Sequence, residues 1–170
     1  MALSMYQASV PVFIHYLTAF AKILDKAAAH AAARKIDPAV LAGMRLAPDM
    51  FPFAQQVRSA TDHALRVGGG LSGLEAPKLA DGDATFDQLK ERIAKTVAFL
   101  KGLKPAQIDG TEEKEVTLTL GGKPRPFKGQ ALLVDFALPN FYFHVTTAYA
   151  ILRHAGVEIG KRDYMGLPPA

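Results

Sequence analysis

FALPNFYFHVTTAYAILRH, residues 136–154, is the longest apolar-periodic run of the chain and carries two of its five histidines. Wound as a helix at about 100° per residue, it gathers Phe141, Val145, Ala148, Ile151, Leu152 and Ala155 on one arc. His144 falls inside that arc and Asn140 beside it, while Thr146 and Arg153 lie opposite. His144 is therefore expected to point inward. A neutral imidazole there needs a partner for its N–H and keeps one nitrogen free for a metal or a tyrosine hydroxyl. Pro139 has no N–H for the helical ladder, so it either starts the helix or kinks one that began near Gln130. Gly156 suits the C′ position, and Arg153 and His154 suit the negative end of the helix dipole.

Composition sets the bounds around this stretch. The 170 residues are 49% hydrophobic, enough for one compact domain spanning 1–170 with a real core. Cysteine is absent, which removes a disulfide framework, a thiolate nucleophile and Cys-ligated zinc or iron–sulfur chemistry, and fits a reducing cytoplasm. The opening MALSMYQASVPVF lacks a basic region followed by a long apolar core, so no secretory signal is expected. Residues 131–152 are apolar, but Asp135, Pro139, Asn140 and His144 interrupt them, so no membrane span is expected. The formal charge is +4, from 20 Lys and Arg against 16 Asp and Glu, and it is spread along the chain. Without a basic stripe or a stacking platform, nucleic acid is not an expected partner.

Working outward, the first helix is expected from Ser9 to Arg34, with Ser9 as N-cap and Pro11 in the first turn. Its stripe is Phe13, Leu17, Phe20, Ala21, Leu24, Ala27 and Ala28, and His15 and His30 fall on the polar face as solvated residues. Asp37-Pro38 reads as a cap and N1 pair for a short helical turn through Leu41. The second long helix is expected to open with Asp49 as cap and Pro52 in its first turn, and to stop at Gly68-Gly69-Gly70. Those glycines follow a helix and lack a Gly-Lys-Ser/Thr continuation, so they form no phosphate loop. On this helix Phe53, Ala54, Val57, Ala60, Ala64 and Val67 make the apolar arc. His63 sits at its edge near Gln56 and Ser59, where it either lines a cleft between helices or lies half-exposed.

Residues 68–84 form a connection longer than the roughly 2–8 residues usual between bundle helices. Thr85 and Gln88 make a capping box for a third helix with Phe86, Leu89, Ile93, Val97 and Leu100 on its core line, ending near Gly102. The period then changes from about 3.6 to about 2. Residues 115–120 alternate, Gly121-Gly122 turn, and residues 123–128 return with two prolines that mark an incompletely paired edge. The tail after Gly156 is irregular and either packs back or meets a second chain.

The blocks MYQASVPVF, LAPDMFPFAQQVRSATDHA and ALPNFYFHVTTAYAILRHAGVEIGKRDYMG resemble the family called domain of unknown function nineteen ninety-three, over essentially the whole chain. That family is grouped with the DinB-like proteins. The resemblance implies an all-α, up-down-down-up four-helix bundle with a small β-hairpin between helices three and four. It also implies a divalent metal, zinc or nickel, held by one histidine of the second helix and a His-x-x-x-His pair of the last, in metal- and thiol-dependent transfer, isomerisation or hydrolysis. His63 and His144 match two of these metal ligands. The paired histidine does not occur: Ala148 stands four residues after His144 and Asn140 four before it. Asp62 falls on the outer side of its helix and His154 about 80° round from His144, so neither is placed to complete the set.

Two functions follow as expectations. One is a DinB-like metal-dependent enzyme with an incomplete histidine triad, in which Gln56, Ser59 and Asn140 orient a ligand at His63 and His144. The other is a non-catalytic bundle that binds a small molecule or forms a homodimer, with Tyr142, Phe143 and Tyr149 either offering an aromatic face or completing the core.

Overall fold

The structure is a computed structural model that describes residues 3–82 and 84–168. Four long helical stretches build a bundle: α1 (Met5–Arg34), α3 (Phe53–Ser72), α4 (Phe86–Gly102) and a last run ending in α7 (Leu138–His154). Short helices α2 (Pro38–Gly43) and α5 (Pro105–Ile108) sit in the connections. The strands β1 (Glu115–Leu120) and β2 (Lys123–Lys128) form the hairpin before the last run, and α8 (Lys161–Tyr164) follows it. α3 packs on both α7 and α4, and α1 on α4. Phe13, Phe53, Phe141, Leu24, Leu89 and Ile93 are fully buried between them.

The caps follow from local chemistry, with two shifts from expectation. α1 opens one turn earlier than Ser9 because Ser4 and Gln7 form a reciprocal capping box there. Ser9 is instead buried inside the helix, its hydroxyl donating to Met5 O at 2.6 Å. Asp37 caps α2 by accepting from Ala39 N at 2.9 Å, and Thr85 and Gln88 form the expected box on α4. Asp49 does not cap α3. Pro52 occupies that position, and the loop before it is closed by Phe53 N donating to Met44 O at 2.8 Å.

The three glycines do not stop α3, which runs on to Ser72 and ends at Gly73 in the left-handed region, φ 77°. They mark close approach instead: a Cβ on Gly70 would lie 2.7 Å from Val116 Cγ1, and one on Gly68 would touch the Leu100 and Leu103 side chains at 3.1 Å. Small residues here let the hairpin and α4 press against α3.

Arg92 of α4 is buried, a feature the apolar pattern of that helix conceals. It donates to Thr61 Oγ1 at 2.7 Å and to Ala80 O at 2.7 Å, and pairs with Asp62. One guanidinium thereby ties α3, α4 and the 73–84 connection together.

The hairpin is paired along its whole length, from Glu115↔Lys128 to Leu120↔Lys123, around Gly121 and Gly122 at φ 57° and 76°. The prolines do not interrupt it. In a two-residue hairpin the pairs 120/123, 118/125 and 116/127 exchange hydrogen bonds, so Pro124 and Pro126 fall at positions whose backbone faces outward.

The last run is continuous. It begins at α6 (Gly129–Ala131), widens into a π-helical segment at Leu132–Ala137, and continues as α7. Leu138 N bonds Leu133 O, five residues back. The wider turn precedes Pro139 and gives its ring room where a regular turn would clash, and the Asn140 side chain donates to Phe136 O at 2.6 Å.

The tail packs back on α1. His15 Nε2 lies 2.9 Å from Met165 O, Lys26 pairs with Asp163 at 2.6 Å, and Tyr164 meets Tyr16 and Tyr149. Tyr142 also packs on Tyr16, at 5.2 Å between ring centroids, so these two tyrosines of α7 contact α1 and the tail. Phe143 stays exposed. His30 is half-buried rather than solvated, and its Nε2 is enclosed without a hydrogen-bond partner. Among the described residues no helix is long and apolar enough to cross a membrane.

Candidate functional site

α3 and α7, packed side by side, bring His63 and His144 together. Their rings lie 5.6 Å apart at 18°, and both residues are buried. The edge position of His63 on α3 thus lines an inter-helix site. Gln56, two turns before His63, orients His144: its Oε1 is 2.7 Å from His144 Nδ1, while its Nε2 donates to Phe51 O at 3.0 Å. The amide orientation follows from that second bond, because only the NH₂ end can serve a carbonyl. His144 Nδ1 therefore carries the proton, and its Nε2 presents a lone pair.

The same anchor holds Phe51, whose ring stacks on His144 at 6.4 Å. Phe136 meets the edge of His63 at 5.4 Å and packs on Phe127 of β2 at 5.1 Å. Phe143 flanks His144 at 5.5 Å. The histidines therefore sit among aromatic walls, two of which, Phe51 and Phe143, are more than half exposed. Sequence periodicity did not single out Phe51, because it lies in a loop and reaches the site only through its carbonyl's bond to Gln56.

Both imidazoles are held neutral. Burial, then the positive charge of Arg66 and the neighbouring His144, lowers the His63 pKa to about 3. Burial alone lowers that of His144. His63 Nδ1 is enclosed with no hydrogen-bond partner among the described residues. The remaining candidates are turned elsewhere. Ser59 accepts from Gln55 Nε2 at 3.3 Å, and the Asn140 amide nitrogen is used on Phe136 O, so of the three only Gln56 bonds a histidine.

The donor set is short of a resident metal centre. Two imidazoles on one tetrahedral zinc hold their centroids about 5 Å apart, given Zn–N bonds of about 2.1 Å, so the ring spacing is compatible with a shared cation. A third protein ligand is what the site lacks: Ala148 is buried one turn beyond His144, and Asp62 is committed to Arg92. Among the described residues no three His, Cys, Asp or Glu side chains are grouped to hold a metal ion. The residues present do not fit a three-ligand protein centre. A cleft of about 670 Å³, lined by Asp37, Ala42, Ala54, Thr85 and neighbours, includes neither histidine. Volume and chemistry thus lie apart, and the histidine pair is the site with chemistry.

The chain was compared with known proteins at this point of the description. A family described as "Domain of unknown function (DUF1993)" matches residues 5–165. A solved structure of a DinB family member protein from Shewanella denitrificans is 38% identical, covering 97% of this chain and 93% of that one, with a TM-score of 0.85. No curated protein matches. The match over nearly the whole chain and the shared bundle agree, and the chain belongs to the family of unknown function DUF1993, with the fold of a DinB family member.

Proposed function

We propose that the His63–His144 pair binds a small molecule with an apolar body and an amphiprotic polar group, such as a hydroxyl or a carboxamide. The observation that carries this reading is the enclosed, unpartnered Nδ1 of His63. Leaving such a nitrogen unpaired costs about 1–3 kcal/mol, which a bound polar group recovers. His144 Nε2 supplies a lone pair next to it, and Phe51 and Phe143 supply ring faces that a ligand body covers. Gln56 fixes the tautomer, while Ser59 and Asn140 shape the flanks. Neutral imidazoles accept protons, so any catalysis at this site begins with His144 Nε2 as a base.

The spacing of the two rings favours a second reading, in which the pair holds zinc or nickel with the other coordination positions on external ligands, as in a DinB-like metal-dependent enzyme. Elemental analysis separates the two. The first reading expects substoichiometric metal after loading with zinc, nickel and manganese. It also expects a fragment screen, read on the imidazole ¹⁵N shifts, to yield ligands that move His63 and His144. Near-stoichiometric metal lost in both His63→Ala and His144→Ala would establish the second reading and overturn the first. His63→Leu removes the unpaired nitrogen and is expected to raise the stability of the ligand-free protein by about 1 kcal/mol while abolishing fragment binding.

A further inference from the structure

The hairpin has two outer edges of opposite character. At the pairs 119/124 and 117/126 the backbone groups of both strands face away from the partner strand. On β2 these positions are Pro124 and Pro126, which offer no N–H, so that edge cannot extend. On β1 they are Thr117 and Thr119, which keep both N–H and C=O. Among the described residues neither makes a backbone hydrogen bond outside the hairpin. Both threonines are exposed.

This open edge borders a groove of about 490 Å³. Leu65 and Gly69 of α3 line it, and Leu74 and Pro77 of the connection form another part of its lining. Two charged side chains also line it. Asp62 is committed to Arg92, whereas Arg66 is exposed and has no ion pair among the described residues. An extended segment laid along β1 would gain main-chain bonds from Thr117 and Thr119 and apolar contact from alternate side chains, and it would bring an acid to Arg66. A second copy of this chain would have to carry its own β2 and connection past residues 74–77, so a lone segment suits the groove better.

We propose that β1 and this groove form a docking site for an extended peptide segment of a partner protein, with alternating apolar residues and an acidic residue, added as a third strand. A random peptide library displayed on phage, selected against the full chain, tests it. Selected peptides are expected to alternate apolar residues with an acid, and synthetic copies are expected to slow amide exchange at Thr117 and Thr119. Val116 and Leu118, already bonded within the hairpin, are expected to change little. Thr117→Pro removes an outward N–H and is expected to weaken binding about ten-fold or more. Arg66→Glu, which leaves the strand untouched, is expected to weaken binding of the acidic peptides to a similar degree. The proposal is overturned by a library without binders, by binders that leave Thr117 and Thr119 unprotected, or by affinity unchanged in both variants. Protection that grows with protein concentration alongside a dimer mass would assign the edge to a second copy instead.

Discussion

His63 and His144 store a pH dependence in the fold. In the unfolded chain each imidazole titrates near its ordinary pKa of 6.5; in the folded chain burial lowers both, His63 to about 3. Below the unfolded value the unfolded state binds more protons, so stability falls as pH falls. The loss for His63 runs from about pH 6.5 towards about pH 3, at up to about 1.4 kcal/mol per pH unit. Urea unfolding at pH 7, 6 and 5 is expected to show midpoints dropping with pH, and a shallower drop in His63→Leu; equal slopes in the two proteins would contradict the buried neutral state. The inward placement of His144 was legible because it depends only on helical period. The partner that fixes its tautomer was not, since Gln56 lies 88 residues away in sequence and meets it only when α3 packs on α7.

At the scale of elements, what the sequence revealed were signals complete within a few residues. The Thr85–Gln88 box, the Asp37-Pro38 start and the glycine-turned hairpin each carry their own hydrogen-bond logic. The glycines of α3 look identical to a helix stop until Val116 and Leu100 are set against them. Arg92 likewise reads as a surface residue until Thr61 and Ala80 surround it. Gly129, where β2 hands over to the last helical run, shows the same non-local control. It is buried, and a Cβ there would sit 2.0 Å from the backbone oxygen of Thr111, which cannot swing aside as a side chain could. Gly129→Ala is therefore expected to cost about 2–3 kcal/mol, despite alanine's better helix propensity. Chemical denaturation checks it; a neutral result would mean that the 111–129 contact yields freely.

Across the molecule, Arg92 joins parts that the four-helix pattern leaves separate. Removing its guanidinium in Arg92→Met strands the partly exposed Asp62 and releases Ala80 O. The expected loss is about 2 kcal/mol, below the figure for a fully buried pair because Asp62 keeps some contact with water. Limited proteolysis is expected to show faster cleavage within 73–84 in this variant, with the helices still intact. Cleavage at the wild-type rate would mean that the connection is held by its apolar contacts instead. Because the same connection walls the β1 groove, this residue links bundle packing to the surface beside the hairpin.

The π-helical segment makes the last helix sensitive to counting rather than to chemistry. Leu132–Ala137 carries one residue more than a regular turn would need, and everything after it is phased by that surplus. Exchanging an exposed side chain there, such as Val134, leaves the phase alone. Deleting Val134 would regularise the winding, yet turn His144 by about 100° relative to Leu132 and Leu133. The bundle would then have to choose between burying its leucines and facing its histidine to Gln56. Helical content measured by circular dichroism would scarcely change, whereas the His144 Nδ1 proton resonance would lose its hydrogen-bonded shift. In a family alignment, length in this segment would therefore carry more information than identity.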